Sequence, residues 1–430
     1  MFDVVILGAG AAGLFAAIRA AERGRSVVVL EKSARPGVKI LMSGGTRCNI
    51  TNARGFHARE LAILSGPVDP DFATRECRGI RAIQEAFGSQ GGFLAPALKA
   101  LPPAQVIALV EAEGLATKIE ANGKIFPRSD RATDLLAAIL RRFERCGAQL
   151  RLREPAIALE REETGFRVTT PTESLLANRV VVAVGGQSYP GCGTTGDGYG
   201  FARHFGHSIV TPRPALVPLR VKPQWVTELR GVTIPDAVAR VLDDNGGVLA
   251  ERREAVLFAH FGLTGPSILD VSREVARHPD PSRLTLQLDF APVPRADQLE
   301  QQLQAQARIG KRGVVSLLSE MIPRRLAEAL LAAAEVPLDR VGPELSREER
   351  HRLVKSVKHL QLPIEGTLGF AKAEVTCGGV ALEDVDPTTL ESRRQPGLHF
   401  VGEVLDLDGR IGGYNFQAAW STGWLAGGVV

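Results

Sequence analysis

Polar aromatic residues are scarce in this sequence: three tyrosines and three tryptophans among 430 positions. That leaves few platforms on which the bases of a single-stranded nucleic acid would stack. An excess of one charge sign is also missing. Lys and Arg number 52 against 48 Asp and Glu, a net of +4, a balance that neither indicates nor excludes nucleic acid. Cysteines are few and odd in number: Cys48, Cys77, Cys146, Cys192 and Cys377. No two form a CxxC, which excludes a zinc ribbon and a thioredoxin-like dithiol and points to free thiols in a reducing compartment. Long apolar runs are absent too. Val4 to Ile18 is uncharged, but glycines interrupt it and Asp3 precedes it; it falls short of the roughly 20 residues of a membrane span. The expectation is a soluble cytoplasmic protein. No repeat or low-complexity tract occurs. With 44% hydrophobic and 23% charged residues, collagen-like, disordered and disulfide-stapled classes drop out, and two or three domains are expected.

Chemistry is legible in the first fifty residues. Val4-Val5-Ile6-Leu7 reads as a strand buried on both faces. It enters Gly8-Ala9-Gly10-Ala11-Ala12-Gly13, then a helical stretch from Leu14 to Arg23 that Gly24 stops. Ser26 to Leu30 reads as a second buried strand ending at Glu31. Strand, GxGxxG, helix, strand and acid together form a dinucleotide-binding fingerprint. Gly8 permits the tight turn, Gly10 the approach of a pyrophosphate, and Gly13 the close packing of helix on strand. Glu31 is placed to accept hydrogen bonds from a ribose diol. An acid there, rather than Arg, argues against a 2′-phosphate. FAD and NAD both fit this fingerprint.

The next segment carries a resemblance. Ser43-Gly44-Gly45-Thr46-Arg47-Cys48-Asn49-Ile50-Thr51-Asn52 resembles the SGGGRCN-x-TN signature of the flavoprotein family that includes aminoacetone oxidases and bile-acid enoyl reductases. Val184-Gly185-Gly186-Gln187-Ser188-Tyr189-Pro190 and Thr195-Gly196-Asp197-Gly198-Tyr199 are similar to its ATGG-x-SYP and TGDGY stretches. Phe258-Ala259-His260-Phe261-Gly262-Leu263 is similar to its THFGL stretch. Ala373 to Val380, Gly402 to Asp406 and Gly412 to Gln417 match in order toward the end. Thr46 stands in place of the third glycine, Val184 in place of Thr, and Arg410 departs from the Asp-x-Asp-Gly loop. The resemblance implies FAD, held in an α/β Rossmann-type domain of the two-dinucleotide-binding, glutathione-reductase-related kind. It implies cofactor contacts at Gly8, Gly10, Ala11, Ala12, Gly13, Glu31, Lys32, Lys39, Ser43, Gly44, Gly45, Arg47, Cys48, Asn49, Ala156, Gly185, Gly186, Gly402, Glu403, Asp408, Gly412, Gly413, Tyr414 and Asn415. Arg47, Cys48 and Asn49 would line the isoalloxazine ring. The amides opening a helix at Tyr414 would face its N1–C2=O edge, where partial positive charge stabilises the anionic reduced flavin.

Along the chain, helical periodicity covers Asp130 to Arg145, and alternation covers Gln149 to Glu162, with Phe166 to Thr170 closing a hairpin. Arg179 to Val184 is another buried strand. Short alternating strands at Ala237–Leu242, Val248–Leu257 and Leu284–Leu288 predict a β-barrel or open sheet. Gln298–Ile309, Val314–Met321, Arg324–Ala334 and Ser346–Leu360 read as helices, the last opened by a Ser346–Glu349 capping box. The expected layout is a split FAD domain, 1–195 and 366–430, interrupted by a β-barrel-like part, 196–294, and a helical part, 295–365.

Tyr414, Cys48 and His260 are the catalytic candidates. Tyr414 can donate a proton beside the flavin. Cys48 tempts as a redox partner, yet a disulfide reductase needs two cysteines at the ring, so a packed, ring-lining thiol is the simpler reading. His260 would face substrate or sit hydrogen-bonded in the core. No metal is expected, since His204 and His207 lack an acidic or Cys partner nearby. No second GxGxxG marks a dedicated nicotinamide domain. The expected activity is hydride transfer through FAD, from NAD(P)H as donor, to a small molecule with an activated C=C or conjugated carbonyl. The alternatives are a small-amine oxidase producing peroxide, as the aminoacetone branch implies, and a flavin-dependent RNA-modification or RNA-binding protein. The last is permitted by the sequence pI of about 8.9 and opposed by the small net charge.

Overall fold

In the computed structural model, residues 1–63, 66–72, 74–291, 295–307 and 310–430 are described. Contacts divide the chain into two compact units: Met1–Arg213 with Glu374–Val430, and Pro214–Ala373. Residues 196–213 therefore cluster with the first unit, whereas the sequence reading assigned them to the insertion.

The first unit is built on a parallel sheet. Strand β1 (Phe2–Leu7) lies between β2 (Val27–Glu31) and the strand Ser174–Val182. Gln149–Leu152 extends the sheet beyond β2. On its far edge Ser174–Val182 is shared. Its first half pairs with the antiparallel hairpin Ala158–Glu162/Gly165–Thr169, and its last residues pair in parallel with Leu398–Phe400. Val4 to Ile6 and Val180 to Val182 are fully buried, as strands covered on both faces require. Helix α1 (Ala11–Glu22) packs on one face with the helix Tyr414–Val429. At that interface a Cβ on Gly423 would stand 2.1 Å from the Ala12 carbonyl oxygen. One on Gly427 would stand 2.4 Å from that of Ala16. Trp420, fully buried, stacks on Phe416 and donates its indole N–H to the Ile50 carbonyl at 3.0 Å.

The second unit holds a closed six-stranded antiparallel barrel. Its strands, in spatial order, are Leu219–Val221, Gly262–Thr264, Val248–Ala259, Thr233–Leu242, Thr285–Asp289 and Leu360–Thr367. The last strand corrects the sequence reading, which ran the helical part through it. Leu360, Leu362 and Ile364 are buried and alternate with exposed Gln361, Pro363 and Glu365, a period of two that Pro363 disguises as a break. The helices Ala296–Ala307, Val314–Leu318, Arg324–Ala333 and Arg347–Lys358 share one apolar core with the barrel. Arg308 and Ile309, expected to end the first of these, lie outside the described residues. Ser346 and Glu349 form the expected capping box. Among the described residues no single helix is long and apolar enough to cross a membrane.

Two buried polar features generate predictions. Lys358 Nζ sits 2.8 Å from Asp289 Oδ2, both side chains less than a tenth exposed. Lys358→Met leaves that carboxylate buried without its cation, and should lower stability in a urea titration by about 3–5 kcal/mol. A loss below about 1 kcal/mol would show the pair to be dispensable. In the first unit His399, within the strand Leu398–Phe400, and His207 are buried. His207 Nε2 lies 2.7 Å from Ser392 Oγ, and its ring packs on Phe400. Burial pushes the His399 imidazole down to about 4 and lowers His207 as well. The unfolded chain takes up these protons first, so stability is lost as pH falls below about 6.5, and for His399 the loss runs on toward 4 at up to roughly 1.4 kcal/mol per pH unit. The melting temperature of His399→Leu should fall less steeply over that window than that of the unmodified protein.

Candidate functional site

The β1–α1 turn is built as the fingerprint requires. Gly8 has φ +98°, and a Cβ there would lie 2.7 Å from the Ala183 carbonyl oxygen. At Gly13 a Cβ would fall 1.9 Å from the Gly8 oxygen. Gly10 differs: its φ is −83°, and nothing lies within 4 Å of where its Cβ would be. The first two glycines are needed by the fold, and the third opens space beside the amides of the α1 N-terminus, Ala11 and Ala12. Glu31 ends β2 with its carboxylate pinned by the N–H groups of Ala9 and Ser33, each at 2.8 Å. Two of its roughly four lone-pair directions are used, which leaves acceptor capacity for a ribose. Ala156 lies in the loop after Gln149–Leu152, close in sequence to Glu154, whose N–H bonds the Glu31 carbonyl.

Ser43 to Asn49 forms a tight, strained loop. Gly44, Gly45, Thr46 and Cys48 all have positive φ, +55°, +66°, +69° and +55°. A β-branched residue in this region is a costly outlier of the kind that gathers at functional sites, and Thr46 occupies the position where the resembling signature has glycine. The Ala132 N–H donates to the Thr46 carbonyl and fixes it. Arg47 is oriented by three partners: Asp130 at 2.7 Å, Glu120, and the face of Phe126. Lys118 and Arg47 in turn hold the Asp130 carboxyl below its usual range. Cys48 is fully buried, and burial pushes its thiol up to about 12. That burial leaves little of the thiolate, the form that acts as nucleophile, at neutral pH.

A polar node joins four segments. Lys39 Nζ donates to Glu403 Oε2 at 2.5 Å and to Ser188 Oγ at 2.6 Å. Ser188 Oγ donates to Glu403 Oε1 at 2.6 Å, and the Thr376 N–H to the same oxygen at 2.9 Å. Thr376 Oγ1 accepts the N–H groups of Gln187 and Ser188. Gly186 leaves room for this, since a Cβ there would sit 2.4 Å from Thr376 Oγ1. Ser188 and Thr376 were not among the expected contacts, although both stand in the quoted stretches. Lys32 points elsewhere, to Thr195 and Asp197.

Gly402, at φ +72°, brings the segment after Leu398–Phe400 against Ala12, and Gly413, at φ +88°, opens the helix 414–429. The two helix N-termini are staggered. Gly423 meets Ala12 and Gly427 meets Ala16, so the helices run parallel. The 414–429 helix starts eight residues, about 12 Å, beyond α1. A long dinucleotide lying along this stagger would meet one helix N-terminus at its pyrophosphate and another farther along. Tyr414 is buried and hydrogen-bonded to Arg54, which also pairs with Glu76 at 2.6 Å. Asn415 clamps the preceding loop through Gly409, and the backbone of buried Asp408 lies in that loop. His260 belongs to the second unit, at the turn between Val248–Ala259 and Gly262–Thr264, with its ring against Phe261.

The arrangement fits an adenine dinucleotide on three counts: the open space at Gly10, the anchored Glu31, and the staggered helix starts. Comparison with known proteins agrees. Residues 2–65 and 72–429 match the family described as HI0933-like protein Rossmann domain. The chain belongs to this family. HI0933-like relatives include a ribosomal RNA dihydrouridine synthase of Escherichia coli (strain K12), 32% identical over 98% of this chain and 96% of its own length. A 3-dehydro-bile acid delta(4,6)-reductase of Clostridium scindens is 32% identical over 99% of this chain and 98% of its own length. Among solved structures, a 3-ketosteroid delta1-dehydrogenase of Sterolibacterium denitrificans shares the fold, with a TM-score of 0.50 at 14% identity over 99% and 98% of the two chains. This HI0933-like chain is an FAD-dependent oxidoreductase.

Gly10→Val tests the placement of the cofactor. Its Cβ meets no protein atom and its φ suits valine, so the variant should melt within a degree or two of the unmodified protein yet bind FAD at least about tenfold more weakly. Flavin titration read by fluorescence decides; unchanged affinity would sink the placement.

Proposed function

We propose that this chain reduces a carbon–carbon double bond conjugated to a carbonyl group, with NAD(P)H as hydride donor. The observation that carries the reading is the full-length likeness to two relatives of different name, a delta(4,6)-reductase and a dihydrouridine synthase. Each name denotes saturation of a double bond in a ring that also bears a carbonyl. Bound FAD supplies hydride acceptance and donation. The chain's own residues supply the rest. The Lys39–Ser188–Glu403–Thr376 node and Glu31 hold and orient the dinucleotide. The N-terminus of the 414–429 helix offers partial positive charge where negative charge develops on reduction. Tyr414, fixed by Arg54, holds the proton that the second carbon of the double bond requires. A cytoplasmic location would suit use of NAD(P)H as donor. The amine-oxidase reading gains nothing from these relatives.

A second reading is favoured by one specific observation: the relative named for ribosomal RNA covers 98% of this chain. On that reading the double bond is that of a uridine in RNA.

Anaerobic titration of the holoprotein with NADH and NADPH should bleach the flavin absorbance. A 3-keto-4-ene steroid, or a ribosomal RNA transcript, should then restore it, and the acceptor that does so selects between the readings. Tyr414→Phe should slow reoxidation by the acceptor about 10²–10⁴-fold while leaving bleaching by the nicotinamide unchanged. Flavin that persists under excess NADPH, with peroxide formed from amines in air, would overturn the proposal in favour of an oxidase.

A further inference from the structure

In the second unit, the helix Arg347–Lys358 carries its cations in two ways. Those that reach neighbouring elements are engaged. Arg350 pairs with Glu300 at 3.4 Å, Arg352 donates to the Ala334 carbonyl at 2.8 Å, and Lys358 lies 2.8 Å from Asp289. Arg347, His351, Lys355 and His359 differ. They follow one another at intervals of four, all are exposed, and none has a side-chain hydrogen bond or ion pair among the described residues. A step of four residues advances about 6 Å along a helix, so the row runs for about 18 Å.

The strand Leu360–Thr367 leaves directly from the end of this row, and Leu219–Val221 pairs beside it, with the Lys222 N–H on the Pro363 carbonyl at 3.0 Å. Arg220 and Lys222 are exposed there and likewise unpaired. The exposed acids of these segments are Glu348 and Glu365. Arg347, Lys355, Arg220 and Lys222 thus set four fixed positive charges against two negative ones. The mount is rigid: Ser346 and Glu349 cap the helix, and Leu353, Val354 and Val357 are buried in the core shared with the barrel. Arg347 stands in the first turn, where the helix dipole disfavours a cation, so its place there gains nothing within the chain.

The surroundings select what meets the row. Among the described residues none of the exposed large hydrophobic side chains falls within these segments. A folded protein partner needs an apolar interface centre, and a membrane surface needs apolar side chains to insert. A repeating anionic backbone needs only spaced cations and donors. The scarcity of tyrosine and tryptophan favours phosphate contact over base stacking in the same way. We propose that this row binds the sugar–phosphate backbone of RNA. Arg347, Lys355, Lys222 and Arg220 neutralise phosphates, and His351 and His359 donate hydrogen bonds to phosphate oxygens. The proposal rests on the second reading of function, in which the reduced uridine belongs to RNA, and adds to it the surface that holds the substrate. Backbone contacts fix register and carry no base information.

The test is binding of the FAD-loaded protein to a ribosomal RNA transcript, read by fluorescence anisotropy from about 50 to 200 mM salt. For the unmodified protein, log Kd should rise linearly with log salt. The double variant Arg347→Gln/Lys355→Gln should bind about tenfold more weakly at the low-salt end. It should also lose about 1.5 from the slope, since each phosphate contact contributes about 0.7–0.9. Lys99→Gln removes an exposed cation of the first unit, outside the row, and should change neither quantity. Both variants should keep their flavin absorbance and melting temperature, because the replaced side chains make no hydrogen bond or ion pair within the chain. A double variant that matches the unmodified protein in affinity and slope would overturn the proposal and leave the RNA reading standing. No binding of the transcript by the unmodified protein at low salt would overturn both. Binding to phosphatidylserine vesicles but not to RNA, lost in the double variant, would make the occupant a lipid surface and overturn the proposal likewise.

Discussion

The contact between α1 and the 414–429 helix is the constraint on which the first unit turns. Gly423 and Gly427 bring two helices together at a distance no side chain would tolerate, with hypothetical Cβ atoms only 2.1 and 2.4 Å from carbonyl oxygens of α1. That contact holds the end of the chain against its beginning. It sets the two helix N-termini parallel and about 12 Å apart along one line. Each terminus carries unsatisfied amides and partial positive charge, so the stagger converts helix packing into a site long enough for a dinucleotide.

Around that frame the polar groups are assembled from segments far apart in sequence. Lys39, Ser188, Thr376 and Glu403 close one node. Thr51, Gln417, Ser421 and the Leu101 carbonyl close another, fully buried beneath the 414–429 helix. Networks that are satisfied throughout rigidify what they connect. They hold the strained Gly44–Cys48 loop and the glycine pair at 412–413 in place, and the positive φ values there persist because the surroundings over-determine them. The full burial of Cys48 follows the same logic. Burial that makes it a good packing residue also keeps its thiol protonated.

Much of the first unit was legible in advance. The βαβ fingerprint depends on spacings within thirty residues and on hydrophobic runs whose periods are local properties, and its strands and helix appeared within a few residues of expectation. The capping box at Ser346 is equally local. The barrel was read only in part. Leu360–Thr367 closes it by pairing with Leu219–Val221 and Thr285–Asp289, and a strand that carries a proline and follows a helix directly gives a weak signal by itself. Ser188 and Thr376 escaped notice because a hydroxyl's value as an acceptor depends on which amides reach it.

The sequence by itself determined the class of ligand. Gly8, Gly10, Gly13 and Glu31 encode a dinucleotide turn through steric and hydrogen-bonding demands that act over a few residues. Tertiary structure alone decided which distant segments meet. Asn49 and Gly413 stand 364 positions apart, and their approach, with a Cβ on Gly413 falling 2.8 Å from Asn49 Oδ1, rests on the sheet, the glycine-lined helix contact and the paired Thr51–Asn52 strand acting together. Local propensity carries no record of such a meeting, because the free energy that secures it comes from packing between segments rather than from either segment alone.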